Sequence, residues 1–250
     1  MIRVKSPREI ERMRRAGRVA ALALRAGGEA VRPGMTTAQV CKAVCRVIEN
    51  HGAVPTFLNY RGFPGGCCVS VNEELIHGIP GNRKLREGDI VSIDAGATLD
   101  GYVGDTAATF PVGCISDQAA RLIEVTEDCF WAAADKARRG ARVSDISKEL
   151  EGYSKRQGFE IVKQYTGHGV GKRLHEDPEI PNFWDGSRGA RLIPGMTLAI
   201  EPMVNLGSED VEILSDGWTV VTTDGQLSSH YEHTLLVTQD APEFLTLLEG

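Results

Sequence analysis

Apolar residues recur with a helical period in four stretches of the chain. The first runs from Ile10 to Leu24, behind a start formed by Ser6, Pro7 and Glu9 that has the form of a capping box. We expect Gly27-Gly28 to end this helix, because glycine pairs commonly stop helices. The same pattern predicts three further helices, at residues 36–52, 116–139 and 144–157.

A period of two, typical of strands, begins near Cys67. Segments 89–95 and 103–110 flank Asp100-Gly101, a dipeptide that favours a two-residue hairpin turn. With this turn, Asp94 pairs with Ala107 and Gly96 pairs with Asp105. Asp94 and Asp105 then lie on one face, with Cβ atoms roughly 7 Å apart or less. Further strands are predicted at 197–205, 218–222 and 231–238.

The order of two helices followed by strands occurs twice, which suggests an internal repeat. The first set of matching positions is Arg32, Gly34, Val40 and Gly52 with Arg138, Gly140, Ile146 and Gly158. The second set is Leu85, Gly88, Ile93 and Asp94 with Leu192, Gly195, Ile200 and Glu201. We expect a single α+β domain over 1–250 with related halves, roughly 1–112 and 113–250. Asp94 and Glu201 would then be equivalent acidic positions beside a pseudo-twofold axis.

Composition narrows the class of protein. The 250 residues are 42% hydrophobic and 25% charged, which excludes a disordered chain and a disulfide-stapled miniprotein. No apolar run approaches the roughly 18 residues of a membrane span, and no signal peptide is evident, so we expect a cytoplasmic protein. The six cysteines have no disulfide or zinc-site spacing, and we expect reduced, mostly buried thiols.

The net charge of −6 argues against nucleic-acid specificity and membrane binding. The first 32 residues nevertheless carry nine Lys and Arg against three Asp and Glu. An exposed helix face explains this excess, and a docking surface for an anionic partner is the alternative.

Several acidic and histidine residues interrupt apolar segments or lie between glycines. Each alone is typical of a satisfied polar residue, but together they include four carboxylates and an imidazole without a thiolate. This donor set suits two divalent ions such as Mn, Fe, Co or Zn. The candidate positions are Asp94, Asp105, His168, His175-Glu176, Glu201 and Glu232.

Six motifs together resemble the methionine aminopeptidases, in family order and over nearly the whole chain. They are Ile-Asp-Ala-Gly at Asp94, Gly-Asp-Thr-Ala at Asp105, Gly-His-Gly-Val-Gly at His168, Leu-His-Glu-Asp-Pro at His175, Ile-Glu-Pro-Met-Val at Glu201 and Tyr-Glu-His-Thr at Glu232. His77 in His-Gly-Ile-Pro is similar to type I, and the chain length resembles the short bacterial form. The resemblance implies the pita-bread fold, an α+β arrangement with a central antiparallel sheet flanked by helices and an internal pseudo-twofold repeat.

The resemblance also implies roles for individual residues. It implies five metal ligands that would hold two metal ions, with Asp105 and Glu232 bridging them: Asp94, Asp105, His168, Glu201 and Glu232. Our hypothesis makes Glu201 the general base, His175 a donor to the oxyanion and His77 a contact of the scissile nitrogen. The implied methionine pocket contains Tyr60, Phe63, Cys68 and Trp218, with Phe57 and Leu174 as further members.

The expected reaction is removal of the N-terminal methionine from nascent proteins and peptides, preferably before a small second residue. Three alternatives remain open: a prolidase-like or Xaa-Pro aminopeptidase, a non-catalytic binding protein with this fold, and a dinuclear phosphatase. We expect a monomer, and the basic first helix suggests a transient contact with ribosomes.

Overall fold

The computed structural model describes residues 1–248, which form four helices, fifteen strands and a short 3-10 turn at Tyr60–Gly62. The helices are α1 (Pro7–Ala30), α2 (Thr37–Asn50), α3 (Asp117–Ala134) and α4 (Val143–Gln157). The strands of the first half are β1 (Val54–Pro55), β2 (Cys68–Val71), β3 (Glu74–Ile76), β4 (Ile90–Leu99) and β5 (Tyr102–Pro111). Those of the second half are β6 (Glu160–Ile161), β7 (Thr166–Gly169), β8 (Glu176–Pro181), β9 (Thr197–Ile200), β10 (Met203–Asn205), β11 (Val211–Ile213), β12 (Val220–Thr222), β13 (Ser228–His230), β14 (Glu232–Leu236) and β15 (Glu243–Phe244).

Nine strands form one antiparallel central sheet. Its order is β1-β4-β5-β14-β9-β7-β8, with β2 paired to β4 and β15 paired to β14. Helices α1 and α2 pack with β4 around one hydrophobic core, and α3 and α4 pack with β9 around another. Two three-stranded sheets, β13-β10-β6 and β11-β12-β3, complete the described part of the fold.

The β4–β5 hairpin has the predicted register. Asp94 pairs with Ala107 and Gly96 pairs with Asp105. The turn residues Asp100 and Gly101 have φ values of 51° and 75°, as a type I′ turn requires. Alternate β4 residues such as Ile93 join the core under α1 and α2, so the side chain of Asp94 points to the opposite face.

The predicted end of the first helix is wrong, because α1 continues through both glycines to Ala30. A Cβ atom on Gly27 would lie 2.7 Å from the Val44 side chain, and one on Gly28 would overlap the Phe110 ring. These glycines therefore permit close packing of α1 on α2 and β5 instead of ending the helix. Helix α3 also differs from the prediction, since it ends at Ala134 and not near residue 139.

The strand predicted at 197–205 is broken at Glu201-Pro202. Strand β9 pairs with β7 and β14 in the central sheet, whereas β10 pairs with β6 and β13 in a separate sheet. Proline has no N–H to donate to a ladder, which suits it to such a break. Glu201 consequently lies where the chain leaves the central sheet.

An equivalent backbone hydrogen bond forms at the connection between α1 and α2 and at the connection between α3 and α4. The N–H of Gly34 donates to Leu85 O at 2.8 Å, and the N–H of Gly140 donates to Leu192 O at 2.9 Å. The two glycines have φ values of 87° and 88°, where glycine is favoured. These bonds support the predicted internal repeat, while the single-domain assignment and the boundary at 112/113 stay predictions.

Two further expectations concern the thiols and the membrane. The six cysteines are free, and four of them, Cys41, Cys67, Cys68 and Cys129, are buried. Within residues 1–248, no helix has the length and apolarity needed to cross a membrane.

Candidate active site

The five predicted ligand residues line one cavity of about 310 Å³. Four of them come from strands of the central sheet: Asp94 from β4, Asp105 from β5, His168 from β7 and Glu232 from β14. Glu201 follows β9 directly at the strand break. The antiparallel pairing of β14 with both β5 and β9 brings side chains from the two halves of the chain together.

Asp105, His168 and Glu232 each offer one candidate ligand atom, and these atoms all lie within 4.8 Å of one another. His168 Nε2 is 3.8 Å from Asp105 Oδ2 and 3.4 Å from Glu201 Oε1. Asp94 lines the same cavity and lies across the hairpin from Asp105. The side chains converge closely enough for one or two cations to contact several of them.

The cavity contains four carboxyl groups of like charge, here called the carboxylate cluster: Asp94, Asp105, Glu201 and Glu232. Burial raises the pKa of all four groups, that of Asp105 to about 7, and repulsion from neighbouring carboxylates raises the other three further. Asp94 Oδ1, Asp105 Oδ1 and Glu232 Oε1 are buried without a hydrogen-bond partner. Buried carboxylates without partners are costly, so the donor set fits a divalent cation.

His168 presents an unprotonated nitrogen to the carboxylate cluster. Its Nδ1 donates to the carbonyl oxygen of Gly169 at 2.9 Å, which places the proton of the neutral ring on Nδ1. Burial lowers the pKa of His168 to about 3, with His175 as a smaller cause. The free lone pair on Nε2 has the direction and the protonation state of a metal ligand.

Apolar side chains form the other wall of the cavity. The predicted pocket residues Tyr60, Phe63, Cys68 and Trp218 all line it, as do Phe57 and Leu174. The Phe63 and Trp218 rings meet edge to face, with centroids 5.2 Å apart. This wall suits an uncharged, elongated side chain next to the carboxylate cluster.

His77 and His175 flank the space between the apolar wall and the carboxylate cluster. His175 is open to solvent, and its Nδ1 lies 2.7 Å from the Tyr60 hydroxyl, with its ring centroid 4.3 Å from that of His168. His77 contacts the edges of Tyr165 and Trp218. Burial lowers the pKa of His77 to about 4, and partial desolvation together with the Arg61 charge lowers the pKa of His175, which favours the neutral form of each ring near pH 7.

Sequence reasoning missed His230, whose Nε2 lies 3.9 Å from Glu201 Oε2 and has no hydrogen-bond partner. His230 ends β13 and Glu232 begins β14, so no strand period connects the two residues. Its closeness to the Tyr-Glu-His-Thr motif was the available signal. Five residues that line the cavity are likewise absent from the predicted site: Arg61, Ile76, Gln164, Tyr165 and Thr166.

Comparison with known proteins identifies the family. The family model of metallopeptidase family M24 matches residues 11–239. Methionine aminopeptidase 1 of Bacillus subtilis is 50% identical over 246 residues, which cover 98% of this chain and 99% of that protein. The chain belongs to the methionine aminopeptidases of metallopeptidase family M24. This membership confirms the predicted family, the class of metal-dependent aminopeptidase and the binding of divalent metal.

Solved structures confirm the fold of this family member. The methionine aminopeptidase of Thermotoga maritima superposes with a TM-score of 0.97 at 42% identity, covering 99% of this chain and 100% of that one. The predicted pita-bread fold is therefore correct. The prolidase of Pyrococcus horikoshii has a TM-score of 0.80 at 22% identity and covers 98% of this chain and 64% of that one. At that identity the likeness shows a shared fold alone.

Proposed function

We propose that the carboxylate cluster and His168 hold two divalent metal ions and that the enzyme removes N-terminal methionine from peptides and nascent proteins. The observation that carries this proposal is the convergence of unpartnered carboxylate oxygens with the free Nε2 of His168. Mn, Fe, Co and Zn all suit this donor set. When bound, such ions supply Lewis acidity and lower the pKa of a water molecule. Asp105 and Glu232, both buried and grouped with His168, would be among the residues that hold these ions.

Glu201 acts as the general base in this proposal. Its side chain lines the cavity and is 13% exposed, against 5% for Asp105, so it can reach a water molecule there. Burial and neighbouring carboxylates raise the pKa of Glu201 in the metal-free protein, and bound divalent cations would keep the carboxylate ionised, as a general base must be. Glu201 takes the proton from water as the methionine carbonyl is attacked, and passes it to the departing amine.

His175 and His77 orient the peptide bond and stabilise charge. If the Tyr60 hydroxyl donates to His175 Nδ1, the neutral ring carries its proton on Nε2. That N–H then donates to the carbonyl oxygen as negative charge develops. His77, held by Tyr165 and Trp218, contacts the scissile nitrogen.

The apolar wall formed by Tyr60, Phe63, Cys68 and Trp218 binds the methionine side chain. Such a pocket distinguishes one methylene by only about 1–3 kcal/mol. We also propose that a small second residue is preferred. The predicted monomeric state, cytoplasmic location and ribosome contact stay predictions. Arg14 and Arg15 in the basic helix are already paired, with Glu243 and Asp100 respectively.

Hydrolysis of Met-Ala-Ser by metal-stripped protein, with and without added Mn²⁺ or Co²⁺, tests the proposal. N-acetylated Met-Ala-Ser and Ala-Pro-Ser serve as controls for the free amine and for proline-directed cleavage. We expect free methionine only from the unblocked methionine peptide and only with metal.

The same assay separates the alternatives. Cleavage of Ala-Pro-Ser instead would favour a prolidase-like enzyme. Absence of turnover with two bound metals would favour a binding protein, and hydrolysis of a phosphate ester would favour a dinuclear phosphatase.

A further inference from the structure

Outside the cavity, the structure contains a buried ion pair between Lys5 and Glu176. Lys5 Nζ lies 3.0 Å from Glu176 Oε2, and the two side chains are 5% and 2% exposed. Lys5 precedes α1, and its backbone N–H donates to Gly195 O at 2.8 Å, which anchors the residue to the second half of the chain. The backbone of Lys5 is thus fixed, and its ammonium group reaches Glu176 from that fixed backbone position.

The second carboxylate oxygen of Glu176 accepts hydrogen bonds from the backbone of the loop that precedes Glu176. Glu176 Oε1 accepts the N–H groups of Lys172 and Arg173, at 2.9 Å and 3.2 Å. The loop passes so close to the ion pair that a Cβ atom on Gly171 would lie 2.8 Å from both the Glu176 carboxylate and Lys5 Cε. One carboxylate therefore holds both the loop backbone and the lysine.

His175 lies at the end of this loop and lines the active-site cavity. His175 directly precedes Glu176, so their backbone positions are coupled by a single peptide bond. On the cavity side, the His175 ring has one hydrogen-bond partner among the described residues, the Tyr60 hydroxyl. The loop backbone must supply the remaining constraint on the ring position.

We propose that Lys5 and Glu176 are positioning residues for His175. The inference rests on the proposed role of His175 as a donor to the developing oxyanion. Since a misplacement of about 1 Å can lower a rate by roughly 10²-fold, a carboxylate that fixes the loop has a direct effect on turnover. Lys5 keeps that carboxylate ionised and correctly directed, although it touches neither substrate nor metal ligand.

Steady-state kinetics of the metal-loaded enzyme on Met-Ala-Ser test this inference in a double-mutant cycle. Lys5→Met, His175→Ala and the combination of both are compared with the unmodified protein. We expect Lys5→Met to lower kcat by about 10- to 100-fold with KM changed less than about threefold, because the lost interaction belongs to the transition state. In the His175→Ala background, the same substitution should change kcat by less than about twofold.

Two further variants separate positioning from simple stability. Lys5→Met with Glu176→Gln removes both charges but keeps an acceptor for the loop, and we expect it to recover most of the lost kcat. Arg14→Met removes the exposed pair with Glu243 from the same helix region and should leave kcat unchanged. If Lys5→Met does not fold, Glu176→Gln replaces it in the cycle, because it removes the charge but keeps an acceptor.

The possible results give distinct conclusions. An equal loss of kcat in both backgrounds would overturn the positioning role, as would a normal kcat in Lys5→Met with a lowered Tm. A normal kcat in His175→Ala would instead contradict the proposed function of His175. Metal content, measured on each variant, should stay at the level of the unmodified protein.

Discussion

The carboxylate cluster and the Lys5–Glu176 pair differ in whether their buried charged groups have partners within the protein. In the pair, burial lowers the pKa of Lys5 and acts to raise that of Glu176, but the ammonium and two backbone N–H groups reverse the latter effect. In the cluster, burial raises every carboxyl pKa, and several oxygens lack a partner. Buried charge is therefore paired within the protein at Lys5 and Glu176, whereas oxygens at the proposed metal site are left without a partner.

The largest expected effect distinguishes Glu201 of the carboxylate cluster from an exposed glutamate outside the cavity. Glu201→Gln keeps the shape of the side chain but removes its basicity, so kcat should fall by roughly 10²–10⁴-fold. Steady-state hydrolysis of Met-Ala-Ser, with metal content measured in parallel, checks this result. Glu179→Gln, an exposed position on β8, is the matched control and should keep normal turnover. Normal turnover in Glu201→Gln would exclude the proposed general base.

The next largest effect is on the stability of the metal-free protein, where the two regions should respond with opposite signs. Lys5→Met leaves a buried carboxylate without its ammonium partner and should destabilise by about 3 kcal/mol. Asp105→Asn relieves repulsion within the carboxylate cluster and should stabilise by about 1 kcal/mol.

Scanning calorimetry on chelator-treated protein measures both changes. For a chain of this size we expect Tm to fall by about 6–12 °C for Lys5→Met and to rise by about 2–4 °C for Asp105→Asn. A loss of stability in Asp105→Asn as large as that in Lys5→Met would remove the distinction between the two regions.

The smallest effect concerns the pH dependence of metal binding. The folded-state pKa values of the cluster are raised, so protons stabilise the metal-free fold at low pH, and this contribution is lost as pH rises from about 4 through about 7 for Asp105. Metal ions replace those protons, and at 100 times their dissociation constant they add about 2.7 kcal/mol. The gain in Tm on adding Mn²⁺ should therefore be larger at pH 8 than at pH 5.5. An equal gain at both values would mean that the carboxylates bind metal without losing protons.

Local rules predicted the parts of the fold that local chemistry controls. Asp100-Gly101 defined the turn, and the turn defined the register that brings Asp94 and Asp105 together. Gly27 misled the prediction because its role is set by Val44, a residue on another helix that no local rule includes. Tertiary packing overrides propensity in such places.

The residues of the candidate site that lie within recognisable motifs were predictable from the sequence. Those that lie in loops were not. The five predicted ligand residues and the predicted pocket residues line one cavity. Tyr165 and Gln164 come from the segment before β7 and have no period or motif of their own. His230 depends on the β13–β10 pairing for its place beside Glu201, and a separation of 29 residues hides that contact from local patterns.

The division of the proposed ligands between the two halves of the chain also makes the protein suitable as a two-fragment reporter. Asp94 and Asp105 precede the connection between β5 and α3, whereas His168, Glu201 and Glu232 follow it. A chain cut in that connection would yield fragments that each lack part of the metal site, and neither could cleave a peptide alone. Methionine release from a mixture of the two fragments would then show directly that the halves have reassociated. Reassociation requires β5 to pair with β14.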